Sequence, residues 1–139
     1  MQFLTTTDFN GIIGANTFTS LRGTADANLV TAEELAITEL DPLRAKFNIP
    51  VELAKSGTSR NGLMIRLMIH ITAYYLFNTV EDVDIPDRIT ENYNTQIKNI
   101  AKIAAGSMEC TLTPLYDSDG EQKTSYRFGG DALRDNNIY

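Results

Sequence analysis

Residues 63–77 read LMIRLMIHITAYYLF, apolar almost all the way round a helix, with only Arg66, His70 and Thr72 polar. A surface helix of a small domain keeps one solvated face. This one keeps a thin strip, with Arg66 and His70 at i and i+4. Such a helix must be covered on several sides. With only two other strong helices in 139 residues, the expectation is that a second copy or another protein supplies part of the cover. A bilayer needs roughly 20 apolar residues, and this stretch is shorter and carries an arginine. It reads as a buried helix, with no membrane partner.

The length suits one compact domain, and a hydrophobic share of 42% allows a core. A net charge of −6 argues against binding nucleic acid through its phosphates, or an anionic membrane surface. The lone Cys110 permits no intramolecular disulfide and no cysteine-built zinc site. It fits synthesis in a cytosol. The opening MQFLTTTDF has neither the basic nor the apolar region of a signal peptide.

Along the chain, Thr7-Asp8-Phe9 predicts a short helix capped by Thr6 or Thr7, with Phe9, Ile12 and Ile13 facing inward. Residues 16–28 read as a loop with one helical turn near Phe18 and Leu21. Thr31 and Glu34 have the capping-box spacing, so the first strong helix is expected from Thr31. Ala32, Leu35 or Ala36, Leu40, Leu43 and Phe47 continue it at helical spacing. Pro42 either kinks this helix or restarts it with Asp41 as cap, and Pro50 ends it. Residues 50–61 form a loop.

The apolar helix spans 61–78, and an acidic turn, Glu81-Asp82-Val83-Asp84, follows. Pro86 opens the third helix, with Asp87 and Glu91 near its start, where acids are favoured. Ile89, Tyr93, Ile97, Ile100 and Ala104 form its apolar stripe, and Gly106 stops it. Beyond, Met108, Cys110 and Leu112 alternate with polar residues as in a strand. Asp119-Gly120 is a hairpin turn, and 123–128 would be the return strand. The expected fold is mainly α. It is a small bundle of three principal helices plus a short N-terminal one over 1–106. Residues 107–139 add a C-terminal β-hairpin and extended arm.

Candidate chemistry is sparse. His70 is the one histidine, and no partner or pocket for acid–base work is evident beside it. It reads, with Arg66, as a subunit-contact residue. Nothing local makes Cys110 a nucleophile. The acids Glu81, Asp82, Asp84, Asp87 and Glu91 read as a solvated helix start, and 117–121 lacks the closing glutamate of a calcium loop. The glycines have no phosphate-loop spacing. Arg22, Arg44, Lys46 and Lys55 are scattered rather than striped. No enzyme activity, cofactor or metal is expected. The arm is the better candidate. Tyr126, Arg127, Phe128, Leu133, Ile138 and Tyr139 set aromatic and apolar anchors in a polar segment, which suits docking to a partner or neighbouring subunit. A second reading is a small helical cytoplasmic adaptor or regulator that dimerises through its apolar helix.

The order of these pieces resembles the head–tail connector proteins (adaptor, head-completion or neck-ring proteins) of tailed bacteriophages. LRAKFNIP at 43–50 is similar to that family's helix ending in an aromatic and a proline. LMIHITAYYLF at 67–77 is similar to its long apolar helix, and PDRITENYNTQIKNIAKIAAG at 86–106 to its proline-opened, glycine-closed helix. YRFGGDALRDNNIY at 126–139 is similar to its tail with Arg-Phe and a downstream leucine. Pro42 and the glycine- and serine-rich loop before 61 depart from the pattern. The resemblance implies a non-catalytic virion protein of the neck, made in the host bacterial cytoplasm. It implies a ring, usually of twelve copies, on the portal protein. That ring extends the channel through which genomic DNA passes without specific binding, and it offers a platform to the next neck or tail protein. The C-terminal segment would reach the portal.

Overall fold

A computed structural model of the chain describes residues 2–116 and 120. The described chain is mainly helical. Its helices are α1 (Ala15–Leu21), α2 (Ala27–Thr38), α3 (Ile49–Leu53), α4 (Gly62–Asn78) and α5 (Asp87–Ala105), with 3-10 turns between several of them. The predicted return strand and the arm lie outside the described residues, as does Asp119 of the hairpin turn.

α4 is the centre of the packing and lies against both α2 and α5. Asn61 caps it, its Oδ1 accepting from the backbone N–H of Leu63 at 2.9 Å and of Met64 at 3.3 Å. Such a cap satisfies donors that the first turn leaves orphaned. Met64, Leu67, Met68, Ile71, Ala73 and Leu76 are fully buried. The cover comes from the chain itself. α2 contributes Leu29, Ala32 and Ala36, and α5 contributes Ile89, Ile100 and Ile103. The N-terminal segment adds Phe3, Leu4, Phe9 and Ile13 to the same core, and Leu112 adds a side chain from beyond α5. The expectation that a second copy must cover α4 is therefore corrected. The N-terminal segment and the segment after α5 complete that cover within one chain. Only the strip with Arg66, exposed, and His70, half-buried, faces outward as expected.

Several boundaries differ from the sequence reading for identifiable reasons. The stretch around Phe18 and Leu21 is a full short helix, α1, with both side chains buried. α2 begins at Ala27 rather than Thr31, because the turn before it is held by specific contacts. Gly23, Ala25 and Asp26 adopt positive φ. Arg22 pairs with Asp26 at 2.7 Å, and Asn28 donates to the Leu21 carbonyl at 2.9 Å. Starting there buries Leu29 completely. Thr31 is left inside the helix, donating to the Ala27 carbonyl rather than capping.

α2 stops at Thr38, ahead of Pro42, whose ring would clash with a helical carbonyl four residues back. Pro42 sits instead in a 3-10 turn, Asp41–Leu43. Pro50 opens a helix rather than ending one. It lies in the first turn of α3, where its missing N–H costs nothing, and Asn48 Oδ1 caps Val51 N–H at 3.3 Å. At the end of α5, Gly106 at φ 83° closes the helix, with Ser107 N–H reaching back to the Lys102 carbonyl at 2.9 Å. The buried face of α5 also takes in Gln96 and Ile103, which the predicted stripe omitted, while Tyr93, Ile97 and Ala104 are half-buried at its edge.

Residues 107–116 form no strand; they pack against the helical body with bends at Ser107, Met108 and Leu112. The alternation is nevertheless obeyed in burial, since Leu112 is buried while Glu109 and Thr111 are exposed. An antiparallel bridge joins Phe47 to Pro114. The change in composition at Gly106 thus marks a change in local structure, with this segment still packed on the helical core.

Leu67, fully buried at the middle of the packing, gives a direct check. Leu67→Asp would bury an unpaired charge at a cost of several kcal/mol, on the order of the whole stability of a small domain. The expected outcome is loss of the cooperative thermal transition followed by circular dichroism.

Candidate functional site

The described chain leads toward the arm through residues 111–116, and the body grips that root at three points. Asn61, already the cap of α4, donates from Nδ2 to the Thr111 carbonyl at 3.1 Å and Oγ1 at 2.9 Å. Backbone bonds run from Asn48 N–H to the Thr113 carbonyl at 2.8 Å and from Leu115 N–H to the Lys46 carbonyl at 2.9 Å. Between them lies Glu52, on the inner face of α3 and fully buried. Its Oε2 accepts from both the N–H and Oγ1 of Thr113, each at 2.7 Å, and Oε1 lies 3.0 Å from Lys55 Nζ. Burial pushes the Glu52 carboxyl up, but the bonds from Thr113 and Lys55 outweigh it and hold it below its ordinary value.

The other terminus is held in a parallel way. Glu33, on the buried face of α2, accepts backbone N–H groups of Gln2 at 2.5 Å, Phe3 at 3.5 Å and Leu4 at 2.9 Å. Arg60 donates to both oxygens of Asp8, at 2.6 and 3.2 Å, and to the Phe3 carbonyl at 3.1 Å. Burial raises the Asp8 carboxyl, and Arg60 and Thr5 more than offset it, so the group sits below the usual carboxylate range. Thr5 N–H also donates to Asp8, so the N-terminal turn is capped from Thr5, one residue before the predicted caps.

The outer contact candidates, Arg66 and His70, lie where the sequence placed them, on the open strip of α4. His70 Nδ1 is buried without a hydrogen-bond partner. Burial lowers its pKa, and the guanidinium groups of Arg66 and Arg88 lower it further. No carboxylate orients this imidazole among the described residues, so the triad-like support of a general base is missing there. Cys110 is half-buried on the segment after α5. No cluster of three potential metal ligands occurs among the described residues, and no described helix is long and apolar enough to cross a membrane. Tyr126, Arg127, Phe128, Leu133, Ile138 and Tyr139 lie outside the described residues.

A further polar cluster joins the three main helices. Tyr75 of α4 donates to Glu39 Oε1 just past α2, Tyr93 of α5 reaches the same oxygen at 3.3 Å, and Tyr74 stacks on Tyr93 with centroids 4.0 Å apart. Burial, then the bond to Glu39, raises the Tyr75 phenol far above its ordinary value. Burial likewise raises Tyr93. Sequence reading missed Glu33, Glu39 and Glu52 as structural groups. The available signal was weak: Glu33 sits among the inward positions of α2, Glu39 follows the end of that helix, and Glu52 falls in a stretch that reads as a loop. No family model, curated protein or solved structure matches this chain.

The grip of Glu52 on Thr113 has a pH signature. Its carboxyl is depressed on folding, so its contribution is complete above the ordinary value of 4.5 and fades as pH falls through the lower folded value. Asp8 behaves likewise from 3.8 downward. Glu52→Gln is expected to remove the first part of that acid sensitivity. It should also speed hydrogen exchange at the Thr113 amide at neutral pH while the α4 amides stay protected.

Proposed function

We propose that this protein is a non-catalytic structural part of a tailed-phage virion, a head–tail connector. On this reading it forms an oligomeric ring, of about twelve copies by the resemblance, on the portal protein. The ring prolongs the DNA channel and receives the next neck or tail protein. The helical body makes the wall, and residues 126–139, with Tyr126, Phe128, Leu133, Ile138 and Tyr139, form the docking arm. The final home of the protein is then the neck of the virion.

One observation carries the reading. Three of the four segments that resemble the family lie among the described residues, and two of them coincide with a single helix each. The segment at 43–50 leads into α3, the aromatic-ended apolar segment lies within α4, and the proline-opened, glycine-closed segment is α5. The firmly held root at 111–116 adds support, because an arm that pulls on a partner needs a fixed base. The charge of −6 suits a channel wall that DNA must pass without sticking. The competing adaptor reading relies on α4 as a dimer seam, and most of the apolar side chains of α4 are buried within one chain.

Electron microscopy of the purified protein with the portal of the same virion tests this. A ring of subunits capping the portal is the expected image, and a portal left bare at saturating protein would refute the reading. Deletion of 126–139 should leave the circular dichroism and melting of the helical body unchanged while docking is lost.

A further inference from the structure

Two Asn-Gly steps occur in the sequence, Asn10-Gly11 and Asn61-Gly62. Such a step is chemically unstable, because glycine has no side chain to keep its backbone nitrogen away from the amide carbon of the asparagine before it. Asn16, Asn48 and Asn78 instead precede Thr17, Ile49 and Thr79, whose branched side chains hinder that approach.

The backbone makes the two steps a matched pair. Asn10 has φ −60° and ψ 129°, and Asn61 has φ −73° and ψ 128°. A Cβ added at Gly11 or at Gly62 would meet nothing within 4 Å, so neither glycine is crowded. What differs is the hold on the asparagine side chain. Asn61 is tied at both ends of its amide. Oδ1 accepts from the N–H of Leu63 and Met64 at 2.9 and 3.3 Å, and Nδ2 donates to the carbonyl and Oγ1 of Thr111 at 3.1 and 2.9 Å. Turning this amide carbon toward the Gly62 nitrogen would uncap α4 and release Thr111. Asn10 is exposed, and its side chain makes no hydrogen bond among the described residues.

Asn10 and Gly11 are the central residues of a turn closed by Ile12 N–H on the Phe9 carbonyl at 3.0 Å. With Gly11 at φ 82° this is a type II turn. The Gly11 N–H takes no part in that bond and has no partner among the described residues. The attacking nitrogen is thus as free as the amide it would attack. Both residues border a shallow cleft of about 340 Å³, which leaves room for a ring to form.

We propose that Asn10-Gly11 is a site of spontaneous imide formation, and that the fold protects Asn61-Gly62 from the same reaction. The Gly11 nitrogen gives up its proton and bonds to Cγ of Asn10. The Cγ–Nδ2 bond breaks, and Nδ2 takes up a proton and leaves as ammonia. Water then opens the imide. Opening at Cγ yields aspartate on an unchanged backbone. Opening at the main-chain carbonyl of Asn10 yields isoaspartate, whose backbone runs through Cβ and Cγ and is one carbon longer. Either product ionises at neutral pH and makes an acidic chain more acidic. The longer backbone lies in the turn between Phe9 and Ile13, both of which are buried. The inference stands apart from the connector reading and holds with or without it.

The test holds the full chain in warm, mildly alkaline buffer, with a second sample in denaturing urea. Samples are digested at acidic pH and mapped by mass spectrometry, peptide by peptide. That separation matters because Asp119-Gly120 isomerises through the same kind of imide. Circular dichroism checks that the first sample stays folded. In the folded chain Asn10 is expected to convert at least about tenfold faster than Asn61, the scale set by losing a helix cap and the hydrogen bonds beyond it. In urea the two rates should converge. Asn10→Gln should remove the early acidic species seen by ion exchange, because the longer side chain closes its ring far more slowly.

Equal rates at the two steps in the folded chain overturn the proposal, as does faster conversion at Asn61. An unchanged Asn10, over a period in which both steps convert in urea, overturns it too. So does a difference that persists in urea, since the fold is then not its cause.

Discussion

The whole molecule is organised by the need to bury α4. An apolar helix of this circumference offers more surface than two neighbouring helices can hide. The chain meets the deficit with irregular segments. Phe3 and Leu4 from the start of the chain, Phe9 and Ile13 from the first turn, and Leu112 from beyond α5 all join the core that surrounds it. Irregular segments are expensive cover, because their backbone groups have no ladder to join. That requirement explains the buried acids.

Glu33 and Glu52 are answers to the same problem at the two ends of the chain. Each is a carboxylate on the inner face of a helix, and each accepts donors from an irregular segment packed against it. An ionised carboxylate offers about four acceptor sites, so one residue replaces a short strand as hydrogen-bonding partner. The Asp8–Arg60 pair works similarly, since Arg60 ties the first turn, the Phe3 carbonyl and the loop before α4 into one network. Buried ion pairs contribute little net stability in general, yet losing one partner is costly. These groups therefore hold the segments to one register more than they add to stability.

Much of the helical content was legible because its signals are local. Asn61, Pro86 and Gly106 bound α4 and α5 where capping rules place them. The misreadings share a cause. Thr31 and Glu34 satisfied a capping pattern, but the left-handed turn at Ala25 and Asp26 set the helix start instead. Pro50 was read as a terminator, though Asn48 beside it made it an initiator. Most consequential was the cover of α4, part of which comes from the distant N-terminal turn, a contact that leaves no periodicity in the sequence. The open strip with Arg66 and His70 was legible, while Arg88, brought near by the α4–α5 hairpin, was not.

The tyrosine cluster gives the molecule a built-in optical probe. The chain has no tryptophan and six tyrosines, and three of those, Tyr74, Tyr75 and Tyr93, sit where α2, α4 and α5 converge on Glu39. Near-ultraviolet absorbance and circular dichroism are thus weighted toward a single junction. Tyr75 and Tyr93 resist ionisation while that junction is closed. The stability that goes with their raised pKa is complete below the ordinary phenol value of 10 and is lost as pH climbs beyond it. Tyrosinate absorbance from these two rings consequently marks the separation of the three helices, with no label attached.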